Sequence, residues 1–359
     1  MSLRTVLMTC DAVGGVWTYA LHLARGIAEQ GVRVVLAALG PPPNTEQRRE
    51  AERISGLDLR VFEGRLEWMD DPWDDVGRSG EWLLALERET RPDIVHSNMY
   101  AHGALPFRAP TVVVAHSCVL SWWDAVKNEP PPEKYARYRT AVARGLSGAD
   151  AVVAPTRAML EAVRKHYGSP ARARVIHNAT PVPSRTGSTK SQVIFSQGRL
   201  WDEAKNVEAL AAIAPRTPWP IHVAGSPVHP DGRSRELAGI CNLGWLGREA
   251  LEACLATSAI YAHPARYEPF GLAPLEAAHA ACALVLGDIP SLREIWGPNA
   301  LYVASDDHEA LATTLLGLIA DPGRRVEMGQ RAQRRARDFS LACQARDYLA
   351  LYSELQEEA

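Results

Sequence analysis

Residues 265–281 read ARYEPFGLAPLEAAHAA, and this stretch indicates both the kind of fold and the position of a site. Glu268 and Glu276 stand eight residues apart, with Pro-Phe-Gly directly after the first of them. Proline and glycine do not suit a helix interior, whereas the composition becomes helical from Leu272. We therefore predict that Glu268 lies on a loop and that Glu276 lies about one turn inside the helix that follows.

The start of this predicted helix has the features of an anion site. Backbone N–H groups near Phe270, Gly271 and Leu272 would point out of the positive end of the helix. Such an end binds anions, most often phosphate. A carboxylate before it and another inside it would hold hydroxyl groups on either side of a phosphate. Taken alone, the stretch fits equally well a capped helix without a ligand, because acidic residues are common at helix starts.

Length and composition limit the classes of protein to consider. A chain of 359 residues is long enough for two domains, and 47% hydrophobic with 23% charged residues is typical of a globular protein. The net charge of −3 provides no general attraction for nucleic acid, so we expect no nucleic-acid partner. Six cysteines without ligand spacing indicate reduced thiols. With neither a signal peptide nor a membrane-spanning run in the sequence, we expect a cytoplasmic protein.

The first half of the chain alternates short apolar runs with helical segments. RTVLMTC at 4–10 leads through Gly14-Gly15 to a helical pattern at 17–30, which is the opening of a doubly wound α/β domain. PTVVVAHSC at 110–118 is a continuous apolar run of the kind found in parallel strands covered on both faces.

The second half repeats this organisation after a linker. TPVPSRTGSTKSQ at 180–192 is rich in Pro, Ser, Thr and Gly, and a second α/β set begins with QVIFSQGRL at 192–200. We predict an irregular segment at 64–80 and a continuous helical tail at 321–356. Two α/β domains joined by a linker predict a cleft at the carboxyl ends of their strands, where open parallel sheets bind ligands.

Two basic residues follow the first predicted strand of the second half. Gly198 allows close approach of the backbone to a ligand, and the cations of Arg199 and Lys205 can neutralise a diphosphate. Because parallel strands end at a common edge of the sheet, we expect these residues to lie near Glu268 and Glu276.

These motifs together resemble a known family. GRL at 198–200, Lys205 and EPFGLxxxE at 268–276 are similar to the motifs of the retaining glycosyltransferases of family four, which have the GT-B fold. The double glycine at 14–15 and His116 fall where that family has its own counterparts, and the resemblance spans nearly the whole chain.

The resemblance implies an α/β fold with two doubly wound Rossmann-like domains that face a central cleft. Residues 1–183 would form an acceptor-binding domain and residues 184–339 a domain that binds the nucleotide-sugar donor. Residues 340–359 would form a C-terminal helix that crosses back to the N-terminal domain.

The resemblance also implies roles for individual residues. Arg199 and Lys205 would bind the donor diphosphate and stabilise the charge that grows on it as the glycosidic bond breaks. Glu276 would hold the ribose hydroxyls, and Glu268 the hydroxyls of the transferred sugar. His116 would reach the donor sugar, although a histidine at a strand end is also often purely structural. The donor-binding positions implied are Gly14, Gly15, Gly198, Phe270, Gly271, Leu272 and Glu276.

The family needs no metal for the diphosphate, and this sequence has no DxD-type motif in a suitable place. We therefore expect neither a metal nor a cofactor. Two positions depart from the family pattern: Asn206 stands where the family often has Gly after the lysine, and Asn178-Ala179 stands where it often has Asn-Gly. Neither departure removes a charge needed for catalysis, and we expect both to alter loop shape near the donor.

Aromatic side chains in the first half leave the acceptor undetermined. Trp17, Tyr19, Trp122 and Trp123 either stack on an acceptor or pack in the core. Trp122-Trp123, together with the basic residues Arg137, Arg139 and Arg144, is also the only candidate for a weak peripheral contact with a membrane.

The sequence thus predicts a retaining glycosyltransferase that moves a hexose from a UDP- or GDP-sugar to a saccharide, a lipid-linked or a small-molecule acceptor. The alternatives are a GT-B sugar phosphorylase or sugar-phosphate synthase, and a non-catalytic nucleotide-sugar binding protein.

Overall fold

A computed structural model describes residues 3–183, 189–228, 232, 234 and 237–358. The chain forms two compact units. The first unit comprises residues 3–124, 128–179 and 341–358 of the described chain, and the second comprises residues 125–127 together with the described residues of 180–340. The predicted linker at 180–192 falls partly on residues 184–188, which lie outside the described residues.

The first unit is a doubly wound α/β unit. In the described chain its sheet has seven parallel strands in the order β3-β2-β1-β4-β5-β6-β7. The elements are β1 (Thr5–Asp11), α1 (Gly15–Ala28), β2 (Arg33–Gly40), α2 (Thr45–Glu52), β3 (Leu57–Glu63), α3 (Trp73–Thr90), β4 (Ile94–Ser97), β5 (Thr111–Val114), α4 (Val119–Lys127), which begins in this unit, α5 (Ala136–Gly148), β6 (Ala151–Ala154), α6 (Arg157–Tyr167), β7 (Ala173–Val175) and the last helix of the chain, α13 (Leu341–Glu358).

The inner strands β1, β4, β5 and β6 of this sheet are buried, as in a sheet with helices on both faces, which explains their continuous apolar runs, whereas the edge strands β3 and β7 are partly exposed. Val6, Leu7 and Met8 of β1 are fully buried. Helix α13 packs on α1, and Gly26 permits the close approach, since a Cβ at this position would lie 2.9 Å from the Cβ of Ala345. The last residues of the chain therefore complete the core of the first unit.

The second unit repeats the same winding. Its sheet in the described chain has six parallel strands in the order β10-β9-β8-β11-β12-β13. The elements are β8 (Ser191–Gln197), α7 (Val207–Ile213), β9 (Ile221–Ala224), β10 (Cys241–Asn242), α8 (Arg248–Thr257), β11 (Ser258–His263), α9 (Leu272–His279), β12 (Ala283–Gly287), α10 (Pro290–Trp296), β13 (Leu301–Val303), α11 (His308–Ala320) and α12 (Pro322–Ala336).

In both sheets the strand order reverses beside the first strand, between β1 and β4 and between β8 and β11. At such a point the loops on the two sides run in opposite directions and leave a crevice at the carboxyl ends of the strands. The predicted doubly wound α/β architecture is therefore confirmed, and each unit has one such point.

Two local predictions are wrong. Residues 64–80 are not irregular throughout, because α3 begins at Trp73, directly after a proline and with two aspartates in its first turn. These features favour a helix start. The tail is not one helix, because α12 ends at Ala336 and α13 begins at Leu341. Between them the chain buries Phe339 against Phe270, with 5.7 Å between the ring centroids.

Candidate functional site

An ion pair lies where the strand order of the second unit reverses. Nζ of Lys205 is 2.6 Å from Oε2 of Glu268, and the two side chains are only 15% and 13% exposed. Lys205 follows β8 and Glu268 follows β11, and these strands are neighbours in the sheet. The fold thus joins two residues that stand 63 positions apart in the sequence.

His263, the last residue of β11, is the third member of this cluster. Its Nε2 lies 3.3 Å from the same Oε2 of Glu268. Burial lowers the pKa of His263, so the ring is neutral at neutral pH and its N–H donates to the carboxylate. His263 is not among the residues predicted from the sequence, although it ends an apolar strand five positions before Glu268, and that position is a signal for it.

The electrostatics of this cluster keep Glu268 ionised. Burial disfavours the charged carboxylate, but the Lys205 ammonium and the His263 ring outweigh burial and hold the pKa of Glu268 well below its usual range. A carboxylate held in this way accepts hydrogen bonds and does not donate them.

Glu276, the fifth residue of α9, has a different environment. Its Oε2 accepts a hydrogen bond of 2.6 Å from Nε2 of Gln197, the last residue of β8. Burial raises the pKa of Glu276 to about 7, and the bond from Gln197 and the charge of Arg248 oppose that rise only in part. Two glutamates of one motif therefore have pKa values shifted in opposite directions.

Arg199 does not touch either glutamate in the described chain. Its Nη2 lies 2.7 Å from Oδ2 of Asp202, and its guanidinium lies 5.2 Å from the ring centroid of Trp201. The Asp202 side chain is 4% exposed, whereas that of Arg199 is 40% exposed. A buried acid therefore anchors Arg199 and leaves much of its guanidinium accessible to an anion.

The start of α9 has the conformation that the sequence predicts. Gly271 is the N-cap residue with φ of +93°, a conformation that favours glycine, so the N-cap residue itself supplies no side-chain cap. The side chain of Phe270 is buried in the core, and Leu272 is the first helical residue. Ser291 of α10 donates a hydrogen bond to the backbone carbonyl of Glu268 and so fixes the loop before the helix.

Glycines allow the neighbouring backbone to pack closely. Gly198 has φ of +153°, and its carbonyl oxygen lies 1.8 Å from the position that a Cβ on Gly225 would occupy. Only glycine at position 225 permits this approach.

Asn206 explains the departure from the family pattern after the lysine. It has φ of +53°, the left-handed region that glycine prefers and that asparagine tolerates best among other residues. Its Nδ2 donates to the carbonyl oxygens of Pro264, at 2.8 Å, and Ser305, at 2.7 Å. The asparagine therefore keeps the turn that glycine would allow and adds two hydrogen bonds.

His116 lies in the first unit, two residues after β5, which ends at Val114, earlier than predicted. Its Nε2 is 2.7 Å from Oδ1 of Asn98, and the edge of its ring meets Tyr19, with 4.3 Å between centroids. Burial, together with the nearby His96, lowers the pKa of His116 to about 3. The ring is therefore neutral at neutral pH.

The glycines at 14–15 begin α1. Gly14 is its extended N-cap, and Gly15 is its first residue and is exposed. Trp17 and Tyr19 are 3% and 1% exposed, so they pack in the core and do not present faces to an acceptor.

Trp122, Trp123 and the Asn178-Ala179 segment of the first unit also lie against neighbouring residues. Trp122 and Trp123 are partly buried, and the ring of Trp123 lies 5.7 Å from that of Tyr135. In the Asn178-Ala179 segment, the carbonyl of Ala179 lies 3.1 Å from Nδ1 of His22.

Within the described ranges, no group of three or more His, Cys, Asp or Glu side chains is arranged to hold a metal ion. Nor does any helix among those residues have the length and apolar character to cross a membrane.

Comparisons of the sequence and of the structure with known proteins both lead to glycosyltransferases. The model of "Glycosyltransferase Family 4" matches residues 13–182, and that of "Glycosyl transferases group 1" matches residues 191–321. D-inositol 3-phosphate glycosyltransferase from Kineococcus radiotolerans is 27% identical over 96% of this chain and 91% of its own length. Glycogen synthase from Mycobacterium tuberculosis is 25% identical over 90% of this chain and 85% of its own.

Solved structures with the same fold include sucrose-phosphate synthase from Thermosynechococcus elongatus, with a TM-score of 0.79, 18% identity, and coverage of 99% of this chain and 100% of that one. Anabaena HepE in complex with UDP and glucose has a TM-score of 0.78, 15% identity, and coverage of 98% and 100%. The two doubly wound units have the GT-B fold of these structures, and the family models show that the chain is a glycosyltransferase. The chain belongs to glycosyltransferase family four.

Proposed function

We propose that the protein transfers a hexose from a UDP- or GDP-sugar to an acceptor hydroxyl with retention of anomeric configuration. The observation that carries this proposal is the Lys205–Glu268 ion pair at the carboxyl ends of β8 and β11, near the start of α9, whose N-cap residue is Gly271. The structures of Anabaena HepE with UDP and with UDP-glucose support a nucleotide-sugar donor.

In this proposal the donor diphosphate binds to Arg199, Lys205 and the start of α9. The ammonium of Lys205 has three N–H donors, and one of them is directed at Oε2 of Glu268. The remaining donors and the accessible guanidinium of Arg199 supply positive charge where the leaving phosphate gains negative charge. Because the protein supplies this charge, we propose that no metal ion is required.

The two glutamates bind hydroxyl groups on either side of the diphosphate. Glu268 is ionised and accepts hydrogen bonds from hydroxyls of the transferred sugar. Glu276 accepts from the ribose hydroxyls, and such donors favour its charged form. Donor binding should therefore lower the pKa of Glu276 from its value of about 7 in the free protein.

His116 contacts the transferred sugar, and an oxygen of the leaving diphosphate takes the proton of the acceptor hydroxyl on the same face of the sugar. This route needs no glutamate as a base for the acceptor hydroxyl. Glu268 is held in an ion pair with Lys205, and Glu276 binds the ribose in this proposal.

A sugar-phosphate synthase is the second candidate, and the names of relatives favour it. Alpha-maltose-1-phosphate synthase from Mycolicibacterium smegmatis is 26% identical over 73% of this chain and 79% of its own length. The acceptor of the present protein is a saccharide, a lipid-linked or a small molecule in the first proposal and a sugar phosphate in the second.

The first experiment is a thermal-shift titration of the wild type with UDP, GDP, ADP and their glucose and mannose conjugates, with and without EDTA. A ligand that binds the folded state raises the melting temperature. We expect one base to stabilise the protein equally in both conditions, and Arg199→Ala and Glu276→Ala to abolish the shift. Arg216→Ala removes an exposed ion pair with Glu309 in the same unit and serves as the matched control.

If no nucleotide stabilises the wild type, the proposal is wrong. If EDTA removes the shift, the metal-free mechanism is wrong. With the donor known, incubation with panels of saccharides and sugar phosphates separates the two candidates, and the anomeric signal of the product in NMR tests retention. Binding without turnover across both panels would indicate a non-catalytic nucleotide-sugar protein.

A further inference from the structure

The first unit contains a buried network of neutral polar groups around His116. Asn98 is at its centre, one residue after the end of β4, and is 8% exposed. Oδ1 of Asn98 lies 2.7 Å from Nε2 of His116 and 3.2 Å from Nε2 of His96. These contacts determine where the protons of both rings lie.

The orientation of the Asn98 amide follows from its other partner. Nδ2 of Asn98 lies 2.6 Å from the backbone carbonyl of Thr9. A carbonyl oxygen only accepts hydrogen bonds, so the NH₂ group must face Thr9 and the amide oxygen must face the histidines. The backbone N–H of Asn98 also donates to Oγ1 of Thr9, at 2.8 Å, and this second bond holds Asn98 against strand β1.

The proton on His116 follows in turn. Because Oδ1 of Asn98 is an acceptor, Nε2 of His116 must carry the hydrogen of this contact. Burial keeps the His116 ring neutral, so Nδ1 has a lone pair. Among the described residues Nδ1 has no hydrogen-bond partner, whereas Nε2 is engaged.

The second histidine is ordered by the C-terminal helix. Nδ1 of His96 lies 2.6 Å from the hydroxyl of Tyr352 on α13. With Nε2 of His96 donating to Asn98, Nδ1 accepts from Tyr352, and every contact has one donor and one acceptor. The hydroxyl of Tyr19 donates to that of Tyr348, at 2.7 Å, and its oxygen lies 3.3 Å from Nε2 of His96, so the hydrogen on that nitrogen is shared between Asn98 and Tyr19.

We propose that Asn98 is a positioning residue that holds His116 with its hydrogen on Nε2, so that Nδ1 accepts a hydrogen bond from a hydroxyl of the transferred sugar. The contact with the sugar rests on the proposed function of His116, whereas the assignment of the proton rests on the network alone. His116 then acts as an acceptor that orients the sugar, and not as an acid that protonates the leaving group.

The proton assignment is tested by NMR of protein labelled with ¹⁵N at histidine, since the two ring nitrogens have different shifts with and without hydrogen. His116→Gln identifies the His116 signals. We expect hydrogen on Nε2 in the wild type between about pH 6 and 8 and a mixture of tautomers in Asn98→Ala. Tyr348→Phe, a buried change in the same unit that touches neither Asn98 nor His116 by a hydrogen bond, should leave the His116 signals unchanged.

Asn98→Asp is a second variant of nearly equal shape. Its second carboxyl oxygen would replace the NH₂ group 2.6 Å from the carbonyl oxygen of Thr9, so we expect the acid to be protonated and to donate to Thr9, while its other oxygen still accepts from Nε2 of His116. The Nε2–H tautomer of His116 should therefore be kept in Asn98→Asp and lost in Asn98→Ala. Hydrogen on Nδ1 in the wild type, or the same tautomer and titration in both Asn98 variants, would overturn the proposal.

The sugar contact is tested with the donor found by the thermal-shift titration. We expect that donor to move the Nδ1 signal of His116 in the wild type, and Asn98→Ala to lower kcat about tenfold at an unchanged KM for the donor. A loss confined to KM, or no change at Nδ1, would contradict a positioning role. If no donor binds at all, the proposed function fails, and the NMR result still decides whether Asn98 sets the proton of His116.

Discussion

The two units have the same strand order, yet the polar groups at the carboxyl ends of their strands differ in charge. In the first unit Asn98, His96 and His116 form a neutral network, and burial lowers the pKa of both histidines to about 3. In the second unit Lys205 and Glu268 form an ion pair. The winding of the sheet therefore decides where polar side chains meet, and the residue types decide which ligand chemistry they suit.

This difference has a physical consequence for pH and for binding. In the folded state the neutral network takes up no proton near neutral pH. The same histidines in the unfolded chain, with a pKa near 6.5, become protonated as the pH falls, so this network lowers the free energy of unfolding below about pH 6.5. A site with shifted carboxyl groups does exchange protons, and it also suits an anionic ligand next to hydroxyl groups. The predictions below test this contrast, beginning with the largest expected effect.

Lys205→Met should destabilise the protein by about 3 to 5 kcal/mol and abolish transfer, because it leaves the Glu268 carboxylate buried without its cation. In the wild type the stabilisation from Glu268 is present above its unfolded pKa of about 4.5 and is lost as the pH falls through its lower folded value. Urea unfolding at several pH values measures both effects.

The double variant Lys205→Met with Glu268→Gln is the control for this pair. If the ion pair is the cause, the double variant should be more stable than the sum of the single losses predicts. Additive losses would show that the two side chains are not energetically coupled. They would contradict the description of the second unit as the one whose site depends on an ion pair.

Glu276→Gln should stabilise the protein by about 3 kcal/mol near pH 8 while it impairs donor binding. The folded carboxyl holds its proton up to a pKa of about 7, whereas the unfolded one releases it near 4.5. The free energy of unfolding of the wild type therefore falls as the pH rises between these values, and the glutamine variant lacks this fall.

Melting curves of the two proteins from acid to alkaline pH test this sign. The difference should be near zero below about pH 4 and should reach its plateau above about pH 8. A difference independent of pH would mean that the proton of Glu276 is not involved.

Tyr19→Phe should cost about 1 to 2 kcal/mol, the net value of one or two buried hydrogen bonds, because it removes the donor to the Tyr348 hydroxyl and the contact with Nε2 of His96. We expect the same loss between about pH 6 and 9, since Tyr19 and its partners do not titrate there. Urea unfolding across that range provides the test, and a loss that grows or shrinks with pH would show that the first unit is not neutral as described.

Much of the fold was predictable from local pattern. The continuous apolar runs, the glycine turns and the helical periods predicted doubly wound domains, and the strand order explains why Lys205 was expected near Glu268. Helix α10, which supplies Ser291 to the loop of Glu268, was not predicted, because a helix of seven residues carries little periodic signal.

The sequence by itself determined the doubly wound organisation, the family and the identity of the charged residues after the strands, because these depend on residue type and on short spacing. The tertiary structure alone decided the partners: His263 and Lys205 for Glu268, Gln197 for Glu276, and Tyr352 for His96. Hydrogen-bond direction and burial depend on atoms brought together from distant positions. The opposite pKa shifts of two glutamates in one motif are therefore a property of the folded chain.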